Sequence, residues 1–252
     1  MMNRKQRRKN RPKVHSRMQR RMRVAVAVFG MALGAVSPVH AQALRKVTLD
    51  ARATSALDAR WRESLEAFAA SDREHAPSTG GIVFVGSSSI RLWNDLEREF
   101  GTTGIVKRGF GGSRLSDCAR YVGQLVLPYK PRYVVVYAGD NDLAEGASPM
   151  EVLAAYDEFV HSVHEALPET RIAYVSIKPS PSREALMSKA VQANELIEKY
   201  SKSDSHLDYI DIYSKMIDAK GRPRADLFLG DSLHLNAAGY AIWKAAIADR
   251  LH

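Results

Sequence analysis

One run constrains this chain more than any other stretch of it. Tyr133-Val134-Val135-Val136-Tyr137-Ala138 is apolar and β-branched or aromatic throughout, with no polar residue at every second place. A strand with one face in water would alternate, so this one must be covered on both sides, as a central strand of a parallel sheet is. Around it, from Gly81 onward, short β-rich runs alternate with amphipathic segments. That order is the one that builds a parallel sheet packed between two layers of helices. Strands are expected at Ile82 to Val85, Ile105 to Lys107, Tyr133 to Ala138, Arg171 to Val175 and Leu207 to Ile210. Helices are expected at Leu57 to Phe68, Glu184 to Tyr200 and Ala237 to Leu251, the last capped by Asn236. A further helix should start at Ser148-Pro149-Met150-Glu151 and run to about Leu167. There Ser148 caps, Pro149 suits the first helical position and Glu151 completes a capping box. The expected fold is one α/β domain of three layers, α/β/α, around a five-stranded, flavodoxin-like doubly wound parallel sheet.

The formal charge of +9 would point to nucleic acid or a membrane surface if it were spread over this domain. Instead Arg4, Lys5, Arg7, Arg8, Lys9, Arg11, Lys13, Arg17, Arg20, Arg21 and Arg23 concentrate it in the first 23 residues, with no acid before Asp50. The remainder carries 26 Lys and Arg against 28 Asp and Glu, a net of −2. A nucleic-acid partner is therefore not expected. The basic stretch leads into an apolar run from Val24 to Val36 and a small-residue exit at Val39-His40-Ala41, the layout of a secretory signal cleaved after Ala41. At about 13 residues the apolar run falls short of the roughly 20 that span a bilayer, so no permanent membrane anchor is expected. Two adjacent arginines, Arg20-Arg21, do not make a twin-arginine signal in so basic a stretch, and Met18 and Met22 are alternative starts. Residues 1–41 are thus read as a signal peptide and 42–252 as the working domain, exported to a periplasm or secreted. The single Cys118 can form no internal disulfide. Nothing in the sequence decides the oligomeric state.

Open sheets of this kind bind ligands beyond the carboxyl ends of their strands. Three polar, glycine-containing loops fall there: Gly86-Ser87-Ser88-Ser89, Gly109-Phe110-Gly111-Gly112-Ser113 and Gly139-Asp140-Asn141-Asp142. Acyl transfer by a serine needs a reachable hydroxyl, a base, a group orienting the base, and donors where negative charge develops. A serine at a strand-to-helix turn can present its hydroxyl, and a helix starting near Ser89 would turn its positive end toward the developing oxyanion. Asp231 and His234, three residues apart, can share one face of a helical turn and hold the imidazole tautomer. Each feature also has a plain reading: loop solvation for the serines, a surface or core role for His234, a turn for Asp231. Gly109-Phe110-Gly111-Gly112 is not a dinucleotide loop, because Arg114 stands where that fingerprint needs Gly. Ile90 likewise excludes the nucleophile elbow of the α/β-hydrolases. Asp140, Asp142, Asp231 and His234 could ligate a metal, but no HExxH or paired Cys accompanies them, and neither metal nor cofactor is expected.

Taken in order, these blocks resemble those of the SGNH, or GDSL, hydrolases over most of the chain beyond the leader. Gly86-Ser87-Ser88 with Ile90 is similar to the first block, Gly112 falls at the glycine of the second, Gly139-Asp140-Asn141-Asp142 matches the third and Asp231-Ser232-Leu233-His234 the last. The resemblance implies Ser88 as nucleophile, His234 as base and Asp231 as its partner. It also implies an oxyanion hole made by the backbone N–H groups of Ser88 and Gly112 and the amide of Asn141. Ser87 stands where the family usually has Asp, which leaves Ser87 and Ser89 as register alternatives to Ser88. Lys107-Arg108 stands where the second block often has Asn, which would alter the cleft rim. Trp93 and Phe110 are open between an acyl pocket and the core. The family's range allows short-chain esters, acetylated polysaccharide or peptidoglycan, lysophospholipids and thioesters. The absence of a lid-sized insertion, as in the short span Ser176 to Ser182, favours small acyl groups such as acetyl. The non-enzymatic alternative is an exported binding domain for an acylated sugar or lipid. On export, the chain should acquire Gln42 as its amino terminus, and an intact mass retaining the leader would contradict that reading.

Overall fold

The computed structural model describes residues 59–101 and 104–251. The leader and its expected cleavage point lie outside the described residues. Five parallel strands run in chain order: β1 (Ile82–Gly86), β2 (Ile105–Gly109), β3 (Tyr133–Tyr137), β4 (Arg171–Val175) and β5 (Leu207–Ile210). Their order across the sheet is β2-β1-β3-β4-β5, the flavodoxin-like arrangement. Every residue of β1 and β3 is buried, which is why neither run alternates. Successive side chains go to opposite cores. Val83, Val85, Val134, Val136, Ile172 and Tyr174 enter one, and Ile82, Phe84, Val135, Tyr137, Ala173 and Val175 the other.

The helices are α1 (described over 59–74), α2 (Ser88–Arg91), α3 (Leu96–Glu99), α4 (Leu115–Arg120), α5 (Val122–Leu125), α6 (Asp140–Ala144), α7 (Pro149–Ala166), α8 (Met187–Ser201) and α9 (Ala237–Ala248). The first core takes in Trp61 of α1, Cys118 of α4, Tyr156 and Phe159 of α7 and Ile197 of α8. The second takes in Ile90, Trp93, Leu96, Trp243 and Ile247, from α2, α9 and the segments beside them. Helix α7 starts as its sequence predicts. The Ser148 backbone N–H donates to Glu151 Oε2 at 2.7 Å, the Glu151 N–H donates to Ser148 Oγ at 3.3 Å, and the helix ends one residue before Leu167. Asn236 caps α9, accepting from the N–H groups of Ala238 and Gly239.

Three helix boundaries differ from expectation by three residues or more: α9 ends at Ala248 and not at Leu251, and the other two differ because a distant partner decides them. Helix α1 continues to residue 74 instead of ending at Phe68, and its last turn carries Asp72, which accepts from the buried Arg108 guanidinium and from the Tyr129 hydroxyl. That contact also removes Arg108 from the cleft rim where the sequence placed it, and Lys107 turns to donate to the Trp93 carbonyl. The helix expected from Glu184 begins only at Met187, preceded by a 3-10 turn over Pro181–Leu186 in which Arg183 is off-helical.

Glycine is required at the carboxyl end of β1. Gly86 has φ +147°, and a Cβ there would lie 1.9 Å from the Tyr137 carbonyl oxygen on the neighbouring strand. Gly86→Ala should therefore force β1 and β3 apart and lower stability by about 3 kcal/mol in denaturant unfolding. A loss below about 1 kcal/mol would show that the strands can give way there.

Candidate active site

Strand order reverses between β1 and β3, since the chain leaves β1 for β2 on one side and returns to β3 on the other. The crevice at that switch point receives the loops after β1, β2 and β3. The loops are tied to one another. Ser87 N–H donates to the Tyr137 carbonyl at 3.0 Å, Phe110 N–H to the Gly86 carbonyl at 2.9 Å, and Asn141 Nδ2 to the Ser113 carbonyl at 3.0 Å. Gly112 takes the left-handed position of the tight turn closed by Ser113 N–H on the Phe110 carbonyl, with φ +83°. Leu115 N–H, at the first turn of α4, donates to both carboxylate oxygens of Asp142, 3.1 and 3.0 Å away, and so joins the second block to the third.

Of the three serines, Ser88 alone reaches the imidazole. Ser87 and Ser89 are buried, and their hydroxyls have no partner among the described residues. Ser88 Oγ lies 3.1 Å from His234 Nε2, and His234 Nδ1 lies 2.6 Å from Asp231 Oδ2. Asp231 Oδ1 accepts from the backbone N–H groups of His234 and Leu233, both at 2.9 Å. The His234 N–H, the imidazole and the Leu233 N–H together hold the Asp231 carboxyl well below the usual carboxylate range. With Asp231 ionised, Nδ1 carries the imidazole proton and donates it to Oδ2, which leaves the Nε2 lone pair facing the Ser88 hydroxyl.

The route to this geometry is not the helical turn expected from the spacing of three. Residues 230–234 form an irregular turn with Ser232 at φ +57°, wrapped around the Asp231 side chain. The reason lies in Asp231 itself: its carboxylate competes for the local N–H groups and pulls the backbone out of helix. The turn is closed at its base by the bridge between Phe228 and Leu235, and Leu229 N–H donates to the His234 carbonyl at 2.7 Å. Helix α9 then fixes the serine side of the site, because the Tyr240 hydroxyl donates to the Ser89 carbonyl at 2.9 Å. Helix α2 is a single turn, so any help it gives an oxyanion comes from individual N–H groups and not from a macrodipole.

Trp93 and Phe110 lie in the core and line no acyl pocket: Trp93 packs on Phe84 and Trp243, Phe110 edge-on to Trp61. The acids considered as metal ligands have separate partners. Asp140 pairs with Lys178 at 2.8 Å and Arg183 at 3.1 Å, Asp142 with Leu115 N–H, and Asp231 with His234. A cleft of about 670 Å³ opens beside β5, lined by residues such as Glu195, Tyr209, Asp211 and Arg250, and it holds none of Ser88, Asp231 or His234. Sequence reasoning passed over Lys178 and Arg183. Their one signal was a basic pair within the short span after β4, at the same sheet edge as Asp140.

Fold and site together define an ester-hydrolysing enzyme of the three-layer α/β/α class. The sequence profile of the GDSL-like Lipase/Acylhydrolase family matches residues 84–242, and the chain belongs to that family. Solved structures with the same fold include a Streptococcus pneumonia protein provisionally described as a platelet activating factor, with 21% identity and TM-score 0.67, covering 80% of this chain and 99% of that one. A GDSL-like lipase from Bacteroides thetaiotaomicron shares 21% identity at TM-score 0.62, covering 74% and 96%. A variant of an acetyl-xylooligosaccharide esterase from Geobacillus Stearmophilus shares 14% at TM-score 0.57, covering 69% and 95%. No curated protein sequence matches the chain.

Burial pushes the Asp142 carboxyl up to about 6, against the Leu115 N–H that favours its ionised form, and the neighbouring Asp140 adds to the rise. A carboxyl whose folded pKa exceeds its unfolded value of about 3.9 stabilises the fold fully below that pH and loses the contribution as pH rises through the folded pKa. Relative to Asp142→Asn, the parent should lose roughly 2 kcal/mol of stability between pH 4 and pH 7. Chemical unfolding across that range measures it, and a difference independent of pH would refute the assignment.

Proposed function

We propose that this protein is an exported serine esterase that releases small acyl groups, acetyl above all, through an acyl-enzyme. The observation that carries the reading is the hydrogen-bonded chain Ser88–His234–Asp231, with its 3.1 and 2.6 Å links, set at the switch point of the sheet. Ser88 Oγ attacks the ester carbonyl carbon while His234 Nε2 takes its proton. Collapse of the tetrahedral intermediate breaks the bond to the alkoxy oxygen, which leaves with the proton returned by His234. Water then attacks the acyl-Ser88 ester, with His234 again accepting and returning a proton, and the carboxylic acid departs. Asp231 stays ionised throughout and steadies the imidazolium. The family's pattern assigns the carbonyl oxygen of the intermediate to the N–H groups of Ser88 and Gly112 and the amide of Asn141.

Two observations support small acyl groups. The aromatic residues nearest the loops, Trp93 and Phe110, are packed into the core and are not available to hold a long acyl chain. A structural neighbour is described as an acetyl-xylooligosaccharide esterase, whose acyl group has that size. Export rests on the basic and apolar leader, and the ester of an acetylated polysaccharide is the substrate class such a location would present.

Hydrolysis of p-nitrophenyl esters from acetyl to dodecanoyl tests the reading. The expected result is fastest turnover at acetyl, no effect of a chelator, and a loss in kcat of at least about 10³ in Ser88→Ala. Asp231, held well below the usual carboxylate range, should add no limb of its own to the rate profile at ordinary assay pH. A folded parent inactive on every ester would favour the binding-domain alternative, and equal activity in Ser88→Ala would exclude Ser88.

A further inference from the structure

We infer that Arg183 is a positioning residue for the Asn141 amide, held in place by the buried pair Asp140–Lys178. The inference rests on the esterase reading of the same site. A carboxamide has nearly the same shape either way round, but only its nitrogen can donate to an oxyanion. Flipped, it would present an oxygen to developing negative charge. Two neighbours decide the orientation here. Arg183 Nη2 donates to Asn141 Oδ1 at 2.8 Å, and Asn141 Nδ2 donates to the Ser113 carbonyl at 3.0 Å. Reversal would set the amide nitrogen against a guanidinium and the amide oxygen against a carbonyl, two repulsive contacts in place of two hydrogen bonds. The bond to Ser113 uses one N–H of the Asn141 amide and leaves the second for substrate. A cation on Oδ1 also polarises the amide and strengthens that N–H as a donor.

The arginine is itself secured. Its Nη1 lies 3.1 Å from Asp140 Oδ2, the same oxygen that takes Lys178 Nζ at 2.8 Å, and Lys178 also donates to the Tyr137 hydroxyl at 3.1 Å. The side chains of Asp140 and Lys178 are only 8% and 1% exposed. Burial would raise the Asp140 carboxyl, but Lys178 and Arg183 outweigh it and hold it below its ordinary value. The backbone is fastened too, since Ser182 N–H donates to the Ser232 carbonyl at 3.1 Å, inside the turn that carries Asp231 and His234. This anchoring delays the start of α8 and leaves Arg183 off-helical, at φ −123° and ψ 26°. With Lys178 also on Asp140, that carboxylate alone does not cancel the guanidinium charge that faces Oδ1.

A double-mutant cycle on p-nitrophenyl acetate tests this with the purified protein. Asn141→Ala should lower kcat by about 10² to 10³. Arg183→Ala should lower kcat by about tenfold or more with KM changed less than about threefold, and Arg183→Lys, which keeps one donor but not the fork, should fall between. In the Asn141→Ala background, Arg183→Ala should cost nothing further, because the group it acts through is gone. An unchanged kcat in Arg183→Ala, or the same loss in both backgrounds, overturns the inference. If Arg183→Ala does not fold, the cycle is run with Arg183→Lys and the same criteria decide. Ser88→Ala run alongside separates the two readings: an active parent and an inactive Ser88→Ala uphold the esterase whatever Arg183 does.

Discussion

The pairing of β1 with β3, two strands not adjacent in the chain, is the constraint on which the site depends. It places the loop carrying Ser88 beside the loop carrying Asn141, while β2 on the far side of β1 brings in Gly112. The pairing is tight enough that Gly86 admits no side chain against Tyr137. Both strands are buried on both faces, so their position is set by two hydrophobic cores and is insensitive to the loops. A rigid sheet of this kind can carry irregular, polar loops at its carboxyl edge because stability comes from elsewhere.

Three carboxylates near that edge have three different environments, and the differences explain their separate uses. Asp231 is exposed and surrounded by N–H donors, which keeps it ionised and able to hold an imidazole tautomer. Asp140 is buried but faces two cations, so it too stays charged and serves as an anchor. Asp142 is buried and accepts from the Leu115 N–H, but burial outweighs that bond and its carboxyl rises. Charge partner and solvent access, not residue type, separate the three.

Much of the architecture was legible because it rests on local pattern. The unbroken apolar run at 133–138 marked the central strand, and the strands expected at Arg171 to Val175 and Leu207 to Ile210 coincide with β4 and β5. The capping residues of α7 and α9 were readable for the same reason: a cap acts over three or four residues. The spacing of Asp231 and His234 showed that they could meet, though the helical turn imagined for them is an irregular one. The orientation of Arg108 and the ends of α1 and α8 were not legible. Each depends on a partner distant in sequence: Asp72 for Arg108, and Asp140, Asn141 and Ser232 for the segment before α8.

The fold class and the set of polar loops at one sheet edge follow from the amino-acid order alone, because hydrophobic periodicity and turn chemistry are local properties of the chain. That order also determined which residue types were present for acyl transfer. Which of three consecutive serines faces His234 is settled by three-dimensional packing, since a shift of one residue along the turn after β1 changes the direction of a hydroxyl entirely. Only the tertiary structure brought Lys178 and Arg183 to Asp140 and Asn141. Ion pairs between loops leave no periodic trace, because their partners are set by how strands stack and not by spacing along the chain.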